Sequence, residues 1–247
     1  MITLAIITPC LNEEEVLPIS AKRLLEIMDN LCKEGLISPQ SRLIAVDDGS
    51  TDTTWKVIED LHAKDPRVGG VKLAHNCGHQ AALLAGMFVA RNFADATVTI
   101  DSDLQDDPDA IYEMVRKHAE GAEVVYGVRN NRDTDTFLKR TTAHAFYAFM
   151  RLIGSKVIPD HADFRLMGIE SMRKLATYGE EDIYFRAIVP KLGFPEAKVY
   201  YARAERAAGE PSYTFWKSAK LALGILGEYT GIKKRRSSRY EIGTTLL

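Results

Sequence analysis

Short apolar runs rich in β-branched residues alternate along the chain with longer stretches whose apolar positions recur every three or four residues. The runs at 2–8, 43–46, 70–74, 97–100 and 123–128 have the length and composition of buried strands. Between them, 14–33, 53–63, 80–92 and 108–119 carry helical spacing. Ser50 or Thr51 can cap the helix after the second strand, and Pro108 suits a first helical turn. This alternation predicts an α/β fold with a mostly parallel sheet flanked by helices. After Val128 it weakens into a polar loop at 129–135, an amphipathic helix near 136–152 and a mixed region ending at Tyr201. With no internal repeat and no flexible linker, we expect one domain over 1–212 and an amphipathic, basic appendage over 213–247, helical where its apolar residues cluster.

The 247 residues are enough for a buried core, and 17 Gly and 9 Pro exclude collagen-like and low-complexity classes. Three scattered cysteines, Cys10, Cys32 and Cys77, form no CxxC pair, which argues against a disulfide scaffold. The first residues lack a basic start and a small-residue cleavage site, so they read as a strand, not a signal peptide. The net charge of −2 is unevenly spread. From Trp216 onward seven basic residues (Lys217, Lys220, Lys233, Lys234, Arg235, Arg236, Arg239) face two acidic ones, leaving a tail of +5 on a body of −7. Such a tail suits an anionic surface. No run reaches the roughly 18 apolar residues that a spanning helix needs.

Ligands of such sheets bind beyond the carboxyl ends of the strands. The segments there are Thr8-Pro-Cys-Leu-Asn-Glu13, Asp47-Asp-Gly-Ser-Thr-Asp52, His75-Asn-Cys-Gly-His-Gln80, Asp101-Ser-Asp-Leu-Gln105 and Arg129. The first turn has no glycine-rich phosphate cradle but three glutamates. Phosphates beside so many carboxylates require a divalent cation. Asp101 and Asp103, two residues apart at a strand end, can converge on Mg²⁺ or Mn²⁺, with Gln105 adding a neutral oxygen.

Beside these stand plainer readings. Acidic turn residues are often only solvated, and Asp48 and Ser50 can simply shape a turn and cap a helix. Arg129 and Arg132 can be ordinary surface charge. His75-x-Cys77-x-His79 lacks a fourth zinc ligand nearby, so Gly78 and the following helix start read better as an anion-friendly loop. The aromatic set Phe137, Phe146, Tyr147 and Phe149 reads as packing, and Glu180, Glu181 and Asp182 as either a helix start or an acid site.

PCLNEEE, VDDGSTD, NCGHQAAL, IDSDLQDDP, VVYGVR and HADFRLM occur in the order and rough spacing of the family 2, GT-A fold glycosyltransferases. The chain most resembles their polyprenyl-phosphate group, that of dolichol-phosphate mannose synthase and bactoprenol glucosyltransferase, over roughly 3–232. The resemblance implies a GT-A, Rossmann-like domain that moves a sugar from a nucleotide donor to a lipid phosphate with inversion. It implies that Pro9, Leu11, Asn12, Glu13, Asp47, Gly78, Asp101 and Ser102 line the nucleotide-sugar pocket. Leu11 stands where many relatives have an aromatic residue. Asp101, Asp103 and Gln105 are implied metal ligands, Arg129 and Arg140 face the acceptor phosphate, and Asp163 and Arg165 sit near the reacting sugar. Asp103, Asp163, Arg165, Arg129 and Arg140 are thus the expected catalytic set.

UDP-glucose is the preferred donor by this likeness, with GDP-mannose or a UDP-N-acetylhexosamine as alternatives, and polyprenyl (undecaprenyl) phosphate is the acceptor. The resemblance implies a pair of transmembrane helices in the tail, and we expect that hairpin to be missing, because the two flanking stretches abut near Leu223–Gly224. Phe215, Trp216, Leu221, Ile225 and Tyr229, followed by KKRRSSR, read as an interfacial anchor on anionic lipid at the cytoplasmic face, or else as a helix docked on the domain or between subunits of a homo-oligomer. Nucleic acid is not an expected partner. The rival functions are an aspartyl phosphotransferase using Asp101 as nucleophile and a non-catalytic nucleotide-sugar-binding module.

Overall fold

Eight strands, β1 (Leu4–Cys10), β2 (Arg42–Asp47), β3 (Val68–Leu73), β4 (Ala96–Thr99), β5 (Val124–Arg129), β6 (His161–Gly168), β7 (Glu196–Tyr201) and β8 (Ile242–Leu246), form one sheet. Their order is β7-β5-β6-β4-β1-β2-β3-β8. The computed structural model describes residues 1–130, 161–178, 185–202 and 240–247. The expected helix at 136–152, Arg132, Arg140, Glu180, Glu181, Asp182 and the basic run of the tail lie outside the described residues.

The parallel core is β3-β2-β1-β4. Its crossovers are α1 (Leu17–Lys33), α2 (Thr54–Lys64) and α3 (His79–Ala90), and α4 (Ala110–Ala119) leads to β5. Strand alternation divides the core in two. Ala5 and Ile7 of β1 join α3 on one face, whereas Leu4 and Ile6 join α1 and α4 on the other. Helix α3 lies so close to the sheet that a Cβ on Gly86 would stand 2.5 Å from Ile7 Cγ2 and 2.8 Å from Val46 Cγ2.

All five expected strands and four expected helices form, with shifted ends. Strand β1 runs on through Pro9 and Cys10, which pair in register with Val46 and Asp47. The first helix starts at Leu17, with Pro18 in its first turn, instead of at Glu14. The reason is that Glu13 and Glu14 are spent on the neighbouring loop. The Glu13 N–H donates to Thr54 Oγ1 at 2.8 Å, and Glu14 Oε2 accepts the Thr53 N–H at 2.9 Å.

The mixed region after Val128 holds what the pattern did not disclose. Strand β6 inserts antiparallel between β4 and β5, and β7 then runs parallel to β5 at the sheet edge. Helices α5 (Ile169–Ala176) and α6 (Phe185–Ile188) lie between these two strands in sequence. Part of 213–247 also enters the sheet, since β8 pairs antiparallel with β3 and Ala74 N–H donates to the Glu241 carbonyl at 2.8 Å.

Candidate active site

The chain builds β2 and β3 on one side of β1 and then crosses to β4 on the other, so the carboxyl ends of β1 and β4 border the crevice where open α/β sheets bind ligands. Three loops are laced together at its rim. Asn12, with a positive φ of 56°, accepts the Thr51 N–H on its side-chain oxygen at 2.8 Å and donates its own N–H to Ser50 Oγ at 3.0 Å. Asp47 Oδ1 accepts the Ser50 N–H at 2.9 Å. Asp47 is fully buried, and its Oδ2 finds no hydrogen-bond partner among the described residues.

Asp48 reaches the next loop. Its two carboxylate oxygens accept the N–H groups of Cys77, at 2.7 Å, and Gly78, at 2.9 Å. Burial raises its pKa, and these two bonds oppose the rise. Gly49 permits this approach, because a Cβ there would stand 2.5 Å from the Asn76 nitrogen, and its φ is +72°. Gly78, at φ +93°, turns the chain into α3 and sets His79 and Gln80 facing the crevice.

Beyond β4, Asp101 and Asp103 flank buried Ser102. Leu104 adopts φ 49°, a left-handed conformation that costs a branched residue about 1 kcal/mol or more. Asp103 Oδ1 accepts the Gln105 N–H at 3.1 Å and so ties the turn on either side of it. Withdrawal of Asp101 from bulk water raises its pKa. His79 opposes the rise, while Asp106, Asp163 and Asp103 reinforce it. Even so, 43% of the Asp101 side chain stays exposed, open to a ligand.

Strand β6 supplies the far wall. Asp163 Oδ1 accepts from Arg165 Nη2 at 2.8 Å, and Oδ2 accepts from Gln80 Nε2 at 3.0 Å. His79 Nε2 stands 3.6 Å from both Asp163 Oδ2 and Asp101 Oδ1, bridging the two walls. Arg165 is only 2% exposed, with its guanidinium 5.3 Å from the Phe185 ring centroid.

Arg129, the last residue of β5, has a carboxylate partner of its own. Its Nε and Nη2 fork onto Asp106 at 2.9 and 3.1 Å. Burial works against the Arg129 charge, but this fork together with Tyr201 more than offsets it and raises the pKa. Asp106, His79 and Gln80 are site residues that the sequence reading did not assign. Their signal lay in the quoted stretches NCGHQAAL and IDSDLQDDP, which contain them.

No three His, Cys, Asp or Glu side chains gather as a closed metal nest among the described residues. The donor set nonetheless fits a hard divalent cation. Asp101 and Asp103 offer carboxylate oxygens on one turn, and Mg²⁺-type ions use one or two carboxylates while keeping positions for phosphate oxygens.

A doubly flanked, mostly parallel sheet with an acidic turn at the switch point defines a GT-A, Rossmann-like protein. Solved structures show the same fold. One is glucosyl-3-phosphoglycerate synthase from Mycobacterium tuberculosis in complex with Mn²⁺, UDP and phosphoglyceric acid, with TM-score 0.58 at 18% identity over 94% of this chain and 80% of that one. Another is the mannosyltransferase PcManGT from Pyrobaculum calidifontis in complex with GDP-Man and Mn²⁺, with TM-score 0.61 at 16% identity over 95% of this chain and 66% of that one.

The chain belongs to glycosyl transferase family 2, whose model matches residues 5–176. It is 48% identical to the uncharacterized glycosyltransferase YkoT of Bacillus subtilis, over 92% of this chain and 67% of that protein. It is 34% identical to a prophage bactoprenol glucosyl transferase homolog of Escherichia coli, over 89% and 70% respectively. The chain thus spans about two thirds of the length of such relatives.

Proposed function

We propose that this family 2 glycosyltransferase moves glucose from UDP-glucose to polyprenyl phosphate with inversion at the anomeric carbon. The observation that carries the reading is the pair of facing walls at the switch point, with Asp101 and Asp103 beyond β4 and the braced Asp163 on β6. The choice of glucose and of a lipid phosphate is supported by the bactoprenol glucosyl transferases among the relatives.

Asp101, Asp103 and Gln105 would hold Mg²⁺ or Mn²⁺. Bound there, the ion would supply positive charge to the departing nucleoside diphosphate. Pro9, Leu11, Asn12 and Glu13 line the nucleotide side, with Asp47 toward the base or ribose and Gly78 and Ser102 beside the diphosphate. Asp163 orients sugar hydroxyls, and Arg165 holds Asp163.

The acceptor phosphate is ionised at neutral pH and needs orientation more than a general base. Arg129, braced by Asp106, and Arg140 supply the cationic face for it, since guanidinium forks suit phosphate oxygens. The acceptor resides in lipid, so the basic, aromatic tail would rest on the anionic cytoplasmic surface of the membrane. No described helix is long and apolar enough to cross a membrane.

The test incubates the protein with anionic vesicles carrying undecaprenyl phosphate and with radiolabelled UDP-glucose, GDP-mannose or UDP-N-acetylglucosamine in turn. We expect label in the lipid phase with UDP-glucose above all. Lipid label from another donor would overturn the sugar assignment, and label that stays aqueous with every donor would overturn the acceptor.

A further inference from the structure

We propose that Gln80 is a positioning residue for the transfer step, fixing the orientation of the Asp163 carboxylate and tying it to the start of α6. The inference rests on the reading that Asp163 works beside the transferred sugar.

A glutamine in the first turn of a helix usually faces water or its own backbone. Gln80 instead reaches two partners distant in sequence. Its Nε2 donates to Asp163 Oδ2 at 3.0 Å, and its Oε1 accepts the Phe185 N–H at 3.2 Å. The amide can sit only one way round. Flipped, it would press a carbonyl oxygen against a carboxylate and an NH₂ against an N–H.

The circuit closes through Arg165, which donates to the other Asp163 oxygen at 2.8 Å and stacks on the Phe185 ring at 5.3 Å. The backbone is held as well, because Thr99 Oγ1 donates to the Asp163 carbonyl oxygen. Asp163 is therefore gripped at both carboxylate oxygens and at its main chain, with 13% of its side chain exposed.

The chemical logic lies in the choice of a neutral donor. Arg165 already gives Asp163 a cationic partner, and the His79 ring stands 3.6 Å from its other oxygen. A second lysine or arginine would weaken its negative charge toward sugar hydroxyls and toward the positive charge that grows on the anomeric centre. An amide fixes direction without adding charge. It also links that direction to α6, so the wall carrying Phe185 and the carboxylate are set together.

The test uses Gln80→Met, which keeps length and helix propensity but loses both bonds, and Gln80→Glu, which keeps the acceptor for Phe185 and loses the donor to Asp163. Glucosyl transfer, donor KM and amide exchange at Phe185 are measured in each, and Gln80→Met is also combined with Asp163→Asn. We expect kcat to fall about tenfold to a hundredfold in both single variants, the scale of a misplaced reacting group. Donor KM should change by less than about twofold in Gln80→Met. Phe185 should exchange faster in Gln80→Met and stay protected in Gln80→Glu, and in the Asp163→Asn background Gln80→Met should lower kcat no further.

A full further loss in the double variant, or kcat unchanged in both singles, would overturn the assignment. If the wild-type protein transfers glucose to no lipid phosphate, the functional reading fails by itself. The exchange pattern then decides the clamp alone, faster exchange confined to Gln80→Met supporting it and unchanged exchange overturning it.

Discussion

Asp106 is 2% exposed and carries the forked Arg129 guanidinium, so the pair behaves as a buried ion pair at the end of β5. Removing one partner of such a pair strands the other charge, at about 3–5 kcal/mol, whereas replacing both by apolar residues is often close to neutral. Arg129→Ala should therefore destabilise the protein by about 3 kcal/mol, the low end, because 27% of the Arg129 side chain meets solvent. Asp106→Leu combined with Arg129→Met should recover most of that in urea unfolding. Equal losses in the single and double variants would mean that the pair is not a buried unit.

The same residues show what a sequence can say at this scale. Asp101 and Asp103 stood out because paired carboxylates just past a strand can converge on one cation, and Asp163 stood out only through the HADFRLM resemblance. Asp48 was expected to shape its own turn, but its carboxylate reaches the next loop and brackets the Cys77 and Gly78 amides. The partner of Arg129 was not legible, because Asp106 lies 23 positions upstream and only the fold brings them together. Gln80 was hidden for the same reason, its contacts lying 83 and 105 positions away.

Among the elements, the parallel core was readable because its strands are buried on both faces, with α1 and α2 carrying an apolar stripe and α3 apolar nearly all round. Strand β6 was not, since an antiparallel strand inserted between β4 and β5 has no local sign of its neighbours. Strand β8, five residues long and four of them exposed, offers no hydrophobic run to find.

Helix α3 shows how tightly the elements fit. Gly86→Ala gains about 1 kcal/mol of helix propensity, but the new methyl would meet Ile7 and Val46 well inside contact distance. Overpacking typically costs 1–3 kcal/mol, so we expect net destabilisation and a Tm lower by about 2–4 °C in thermal unfolding. A raised Tm would show that the helix can move off the sheet.

For the molecule as a whole, topology and charge point to one end of the sheet. The reversal of strand order between β1 and β4 opens the crevice, and the carboxylates around it are those that a cation must accompany if a diphosphate is to enter. In the proposed function the acidic body would take the nucleotide donor with its cation, and the basic tail would meet an anionic lipid surface.

That account stands on a cation held at the end of β4 that grips the nucleotide's phosphates. The most direct measurement is UDP affinity by calorimetry with and without Mn²⁺, in the wild-type protein and in Asp103→Ala with unchanged circular dichroism. We predict that affinity falls by about tenfold or more when either the ion or the Asp103 carboxylate is withdrawn, and that Mn²⁺ no longer matters to the variant. Equal affinity under all four conditions would contradict the account.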